Sequence, residues 1–154
     1  LRLVGSEMCI RDSSAMTRRL YRTQPMNRVK LTRIAYNKLR FMFDQQVGVI
    51  DFDKHDFEET GCTFGQADGL VNKALEVEGV RMAVLASERE DGIKMSLRAV
   101  EPDTVNDIAV LFGGGGHAQA AGCTIHAPLQ EALDQMLAAM KDKLDKTPRP
   151  EKRA

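Results

Sequence analysis

The sequence predicts an α/β domain with a mixed sheet flanked by helices, and three observations carry that prediction. Two β-rich runs, 80–87 and 93–100, are separated by a stretch ending in Asp91-Gly92, a strong reversal signal for an antiparallel hairpin. Ala67, Leu70, Val71, Ala74 and Leu75 recur at helical spacing, and so do Leu129, Ala132, Leu133, Met136, Leu137 and Met140. The apolar run VGVIDF at 47–52 has the length of a strand. With 154 residues, 43% of them apolar, the chain can bury one real core.

The remaining elements follow in order. Residues 1–15 show no periodicity, and VGSEMCIRDS at 4–13 reads as translated adapter sequence, so this stretch is expected to be non-native or disordered and the native segment to begin near Met16. Residues 16–46 are read as a linker region holding one helix, 27–43, on the spacing of Leu31, Ile34, Ala35, Leu39 and Met42. Asp53 is placed to cap a short helix whose first turn carries Asp56, and Gly61 ends it. Pro102 and Asp103 open a further helix with Val105, Ile108, Ala109 and Phe112 on its buried side, stopping at Gly113. After the glycine run, residues 117–121 are expected to make a helical turn, 122–126 a short strand, and Pro128 to occupy the first position of the last helix. The substrate-binding domain is drawn at 47–140, with 141–154 a charged, frayed tail.

Charge and cysteine usage oppose several classes. The net charge is zero, but residues 47–140 carry six basic against sixteen acidic side chains, a balance of −10. A broad duplex-binding face needs many Lys and Arg together and is opposed by that balance, whereas a small phosphorylated ligand held by one or two cations is compatible with it. Cys9, Cys62 and Cys123 are odd in number and far apart, which opposes a disulfide framework or a zinc site. With no long apolar span, no membrane partner and a cytoplasmic location are expected.

The most informative stretch is Gly113-Gly114-Gly115-Gly116-His117-Ala118-Gln119-Ala120-Ala121-Gly122. Four glycines present a backbone without Cβ atoms, open to close approach by an anion. A glycine loop feeding a helix N-terminus would add the positive end of the helix dipole. The motif is neither a Walker loop, since no Lys-Ser/Thr follows, nor a dinucleotide fingerprint, since the spacing is wrong. On the second strand of the hairpin, Lys94, Ser96 and Arg98 share the face opposite Ile93, Met95, Leu97 and Ala99. A guanidinium there suits forked contact with phosphate oxygens; an ordinary solvent face is the alternative.

Together Thr60-Gly61, Leu70-Val71-Asn72, Val80, Ser87-Glu88, Ser96-Leu97-Arg98 and above all the GGGGHAQAAG stretch resemble the C-terminal, DHH-associated (DHHA1-type) domain of DHH phosphoesterases, most closely the bifunctional oligoribonuclease and phosphoadenosine phosphate phosphatase (nanoRNase) group. The resemblance runs from about residue 20 to 137. Exonucleases of the RecJ type and cyclic-dinucleotide phosphodiesterases share parts of the signature.

The resemblance implies a division of labour. A separate N-terminal DHH domain would hold two manganese ions and perform hydrolysis, while this domain would close on a short oligoribonucleotide or nucleotide. No DHH triplet occurs here, so no metal ligands are expected in this chain and it should be inactive alone. Gly114, Gly115 and Gly116 would give backbone access to the substrate phosphate. His117 would face the metal centre and hydrogen-bond the scissile phosphate, as the catalytic contribution of this half. Arg98 would grip a phosphate with Ser96 in support, and Asn72 would orient that region or cap a strand, a structural role being equally open. The family pattern SLRS is here SLRA, with Ala99 in the last position, so any contact from that serine is lost. The partner domain lies in the same parent chain, and a homodimer is compatible with the resemblance. The rival reading is a stand-alone nucleotide- or RNA-end-binding module without catalysis.

Overall fold

A computed structural model of the chain describes residues 23–148. Residues 1–15, expected to be non-native, and the last part of the tail, 149–154, lie outside the described residues. A six-stranded mixed sheet forms the centre, built from β1 (Arg40–Met42), β2 (Val47–Phe52), β3 (Met82–Arg89), β4 (Gly92–Ala99), β5 (Gly115–His117) and β6 (Ala120–Ile125). Its order is β1-β2-β3-β4-β6-β5, with β2 and β3 parallel and every other pair antiparallel. Helices α1 (Met26–Lys38), α2 (Lys54–Thr60), α3 (Phe64–Ala67), a 3-10 turn (Asp68–Val71) and α4 (Asn72–Leu75) lie on one face. On the other face lie α5 (Asn106–Leu111) and α6 (Leu129–Lys146). The α/β mixed-sheet expectation is met.

The period-two alternation of the strands sorts the side chains into two cores. Val84, Met95, Leu97 and Cys123 pack against Ile108, Leu133, Met136 and Met140. Ile50, Phe52 and Leu85 pack against Leu31, Leu70 and Val71 on the opposite side. The α1–α4 helices cover β2 and β3 but leave much of β4 and β6 uncovered: Lys94, Arg98, Ala120, Gly122 and Thr124 are part-exposed on that side, while their sequence neighbours on the α5/α6 side are buried. This half-open face is the one of functional interest.

Local chemistry explains several elements. Asp53 accepts from the Asp56 backbone N–H while the Asp56 carboxylate accepts from that of Asp53, a reciprocal cap on α2, and Gly61 closes the helix at φ +65°. The two-residue connection Glu90-Asp91 joins β3 to β4, with Arg89 paired to Gly92, so the reversal is tighter than the five-residue gap in the sequence suggests.

Five elements depart from expectation. Helix α5 begins at Asn106 rather than at Pro102 and Asp103, which lie in the turn and loop before it. Helix α1 ends at Lys38 rather than 43; Leu39 is extended, and residues 40–42 pair with β2 through a turn in which Phe43, Asp44 and Gln45 all have left-handed φ. An ion pair from Arg40 to Asp51 fixes that register. The helix read at 66–75 is three short pieces, with Gly69 in the 3-10 turn and the Arg28 guanidinium crossing within 3.2 Å of where its Cβ would be. Residues 117–121 form a β-hairpin, not a helical turn. Helix α6 runs to Lys146, past the frayed boundary at 140, because Leu144 is buried and Lys143 pairs with Asp107. Pro128 precedes α6 as its cap, outside the first helical position.

Candidate phosphate-binding shelf

The glycine stretch is the hairpin β5–β6, and its conformation is set from several sides. The Gly114 N–H donates to the Ala109 carbonyl at 2.9 Å, the Val105 N–H to Ala118 at 2.7 Å, and the Ala99 N–H to Gln119 at 3.1 Å. These bonds stitch the hairpin to α5 and β4. Ala118 to Ala121 have good helix propensity, but the β4 edge offers a ladder that a helical turn would forfeit. The helix N-terminal anion site expected after the glycines is therefore absent: among the described residues no helix follows them until α6.

The glycines divide into two kinds. A Cβ at Gly114 would stand 2.1 Å from the Gly122 carbonyl oxygen, and one at Gly116 would stand 2.5 Å from that of Ala120. At both positions β6 passes too close for any side chain, so glycine is required sterically whatever the backbone contacts. At Gly115 nothing lies within 4 Å, so its missing Cβ leaves open space above the sheet. Of the three glycines expected to contact phosphate, Gly115 alone lines the open cleft.

The register places the other residues. His117 pairs with Ala120, which pairs with Arg98; Gly115 pairs with Gly122, which pairs with Ser96. Paired residues share a face, so two rows cross three strands on the half-open side. The central column, Ala120 and Gly122, is nearly flat. Arg98 and His117 stand on either side of that trough, their Cα atoms about 10 Å apart at two interstrand spacings. The cleft over the trough has a volume of about 280 Å³.

Electrostatically the shelf is equipped for an anion. The Arg98 guanidinium donates to the Leu97 carbonyl at 2.9 Å and, among the described residues, forms no ion pair. Ser96 is buried beneath the trough; His117 is exposed in the same register row as Arg98 but does not itself line the cleft. Lys94, next along the same strand face, lines the cleft and reaches over Gly122, with its Nζ 4.0 Å from the position a Cβ would take there. Sequence reasoning put Lys94 on this face without assigning it a role; its period-two spacing from Ser96 and Arg98 was the available signal. Burial pushes the Cys123 thiol up, opposed by the Lys94 charge, and the thiol belongs to the core rather than the shelf.

Asn72 does not join this group. It begins α4, is exposed and does not line the cleft. The residue that the helical side contributes to the cleft is Asp68, one turn earlier and also unmarked in the sequence reading. Among the described residues no three His, Cys, Asp or Glu side chains converge to hold a metal ion, and no helix is long and apolar enough to cross a membrane.

The fold is an α/β domain whose mixed sheet is closed by helices on one face and half-open on the other, over a small-residue trough beside Lys94 and Arg98, which form no ion pair among the described residues. The family model for the DHHA1 domain matches residues 44–146, and the chain belongs to that family. It is 35% identical over 79 residues to the bifunctional oligoribonuclease and PAP phosphatase NrnA of Thermus thermophilus, covering 51% of this chain and 24% of that protein. With the protein of the same name from Bacillus subtilis it shares 29% identity over 130 residues, 84% of this chain and 40% of the relative. In fold it is similar to an exopolyphosphatase-related protein from Bacteroides fragilis, with a TM-score of 0.82 and 24% identity over 90% of this chain and 41% of that one. The chain thus spans less than half the length of the relatives it matches.

Proposed function

We infer that this chain is the substrate-holding unit of a phosphoesterase that hydrolyses short RNA oligonucleotides, phosphoadenosine phosphate or both. The observation that carries this reading is the trough between Arg98 and His117, floored by Ala120 and Gly122 and free of ion pairs among the described residues. An unpaired guanidinium beside a flat, Cβ-poor floor suits a phosphate group, which needs forked donors and close approach. The relatives' names supply the substrate class, and a domain balance of −10 favours a short ligand over a long polymer.

Within the shelf Arg98 holds a phosphate by paired N–H donors, Lys94 adds a second charge, and the Ser96 hydroxyl supports the floor. His117, exposed in the same register row as Arg98, reaches the phosphate on the side facing away from Arg98 and donates a hydrogen bond to it. The donor set among the described residues does not fit a manganese pair. The metals, which would supply the activated water, therefore belong in this reading to the DHH domain of the same parent chain, and no step is assigned to them on the residues described. The test is to incubate the chain with a 5′-phosphorylated ribodinucleotide and manganese. Binding without turnover is expected, with binding lost in Arg98→Ala; turnover by the chain alone, or undiminished binding by Arg98→Ala, refutes the reading.

A further inference from the structure

A second cavity, of about 470 Å³, lies at the β3–β4 reversal and is lined by Phe57, Phe64 and Arg89 with Glu58, Glu90 and Asp91. The Arg89 guanidinium stacks on the Phe64 ring at 4.6 Å from its centroid, and the Phe57 ring meets Phe64 edge-on at 4.7 Å. The Arg89 Nε is buried with no hydrogen-bond partner, although four carboxylates, Glu88 among them, and one further cation, Lys54, line the same cavity. Phe64 is 37% exposed. A partly exposed aromatic ring backed by a guanidinium is a stacking platform, and the volume is in the range of a small-molecule site. Phosphate is disfavoured here, because the carboxylates outnumber the cations. The same carboxylates can accept from exocyclic amino groups of a nucleobase, which also has the flat π-face that the platform needs.

The cavity lies beside the Gly92 end of β4, and the shelf extends to its Arg98 end. Arg89 pairs with Gly92, and Gly92, Lys94, Ser96 and Arg98 alternate onto a single face of β4. Alongside runs the segment from α3 into the 3-10 turn, with Phe64 lining the cavity and Asp68, one turn later, lining the shelf. Arg98 lies six residue steps along β4 from Gly92, about 20 Å, farther than one nucleotide held at Arg98 can reach. We propose that the Phe57–Phe64–Arg89 cavity is a nucleobase subsite, which takes a base of a single-stranded oligonucleotide beyond the nucleotide gripped at Arg98. It rests on the reading of the shelf above, and it makes substrate length a property of this domain.

The test compares binding of a 5′-phosphorylated ribodinucleotide, tetraadenylate, and a tetramer of abasic sites with the same phosphates. Phe64→Ala should weaken tetraadenylate by between about fivefold and about a hundredfold, the worth of one base–aromatic stack, and leave the dinucleotide unchanged. Phe64→Leu, which keeps an apolar contact with Phe57 but has no π-face, should show the same loss. The abasic tetramer should bind weakly and be indifferent to either change. Equal losses for dinucleotide and tetramer, no loss for either, or full tetraadenylate affinity in Phe64→Leu overturns the subsite. If Arg98→Ala leaves all three ligands unaffected, it is the shelf that fails instead.

Discussion

Replacing Gly114 and Gly115 separately by alanine separates the two jobs assigned to the glycine run. A methyl at Gly114 would lie 2.1 Å from the Gly122 oxygen and 2.6 and 2.7 Å from the Cβ and Cα of Cys123. Two of these atoms are backbone and the third is fixed by core packing, so no rotamer change relieves the clash. The strands must separate by about 1 Å, which breaks the β5–β6 ladder and loosens Cys123 in the core. Overpacking of this kind costs about 3 kcal/mol or slightly more. At about 3 °C per kcal/mol for a domain of this size, Gly114→Ala should melt near 10 °C below the parent. Gly115→Ala meets nothing within 4 Å and should melt within about 2 °C of the parent. Its methyl would stand in the trough, so its dinucleotide affinity should fall. Differential scanning calorimetry and a binding titration on both variants decide the matter. A Gly114→Ala protein as stable as the parent, or a Gly115→Ala protein that melts early, refutes the division of the glycines.

The other predictions concern what holds the shelf's scaffold. Arg81 donates two hydrogen bonds to Asp103, at 2.8 and 2.6 Å, and further ones to the Gln46 side chain and the Thr147 carbonyl, clamping the start of β3, the loop before α5 and the end of α6. The side chains are 12% and 9% exposed, so Asp103→Ala should cost about 3 kcal/mol, read as a lower denaturation midpoint at unchanged slope, and Asp103→Ala with Arg81→Met should recover part of it. Acid should also weaken the fold. Burial tends to raise the Asp53 and Asp107 carboxyls, but the Asp56 backbone N–H and Lys38 at Asp53, and Lys143 at Asp107, hold both below the ordinary value of 3.8. A carboxyl depressed on folding stabilises above its unfolded value. That contribution should be complete above about pH 5 and be lost as pH falls below about 4, with Asp53→Asn and Asp107→Asn flattening the slope in a urea–pH series.

Much of the fold was legible because its signals are local. The α2 cap needs only Asp53, Asp56 and Gly61, and the hairpin needs only two alternating runs and a turn. The row of Ser96 and Arg98 followed from the same alternation. What the sequence hid depends on partners distant along the chain. The stretch 39–42 looks helical by spacing, but Arg40 finds Asp51 and the edge of β2. Ala118 to Ala121 look helical by propensity, but the β4 edge claims them. The steric need for glycine at 114 and 116 shows only once β6 is seen to pass within contact distance. Lys94 and Asp68 carry no motif, and their place at the cleft emerges only once α3, the 3-10 turn and β4 are brought together.

The central claim is that a phosphate lies between Arg98 and His117 over Ala120 and Gly122. Titrating a 5′-phosphorylated ribodinucleotide into the isotope-labelled chain, and following each backbone amide by NMR, tests it most directly. The largest shifts should fall on residues 96–98, 115–117 and 120–122, and should vanish in Arg98→Ala at equal ligand concentration. Shifts confined to the α5/α6 side of the sheet, or the same pattern persisting without the Arg98 guanidinium, contradict it.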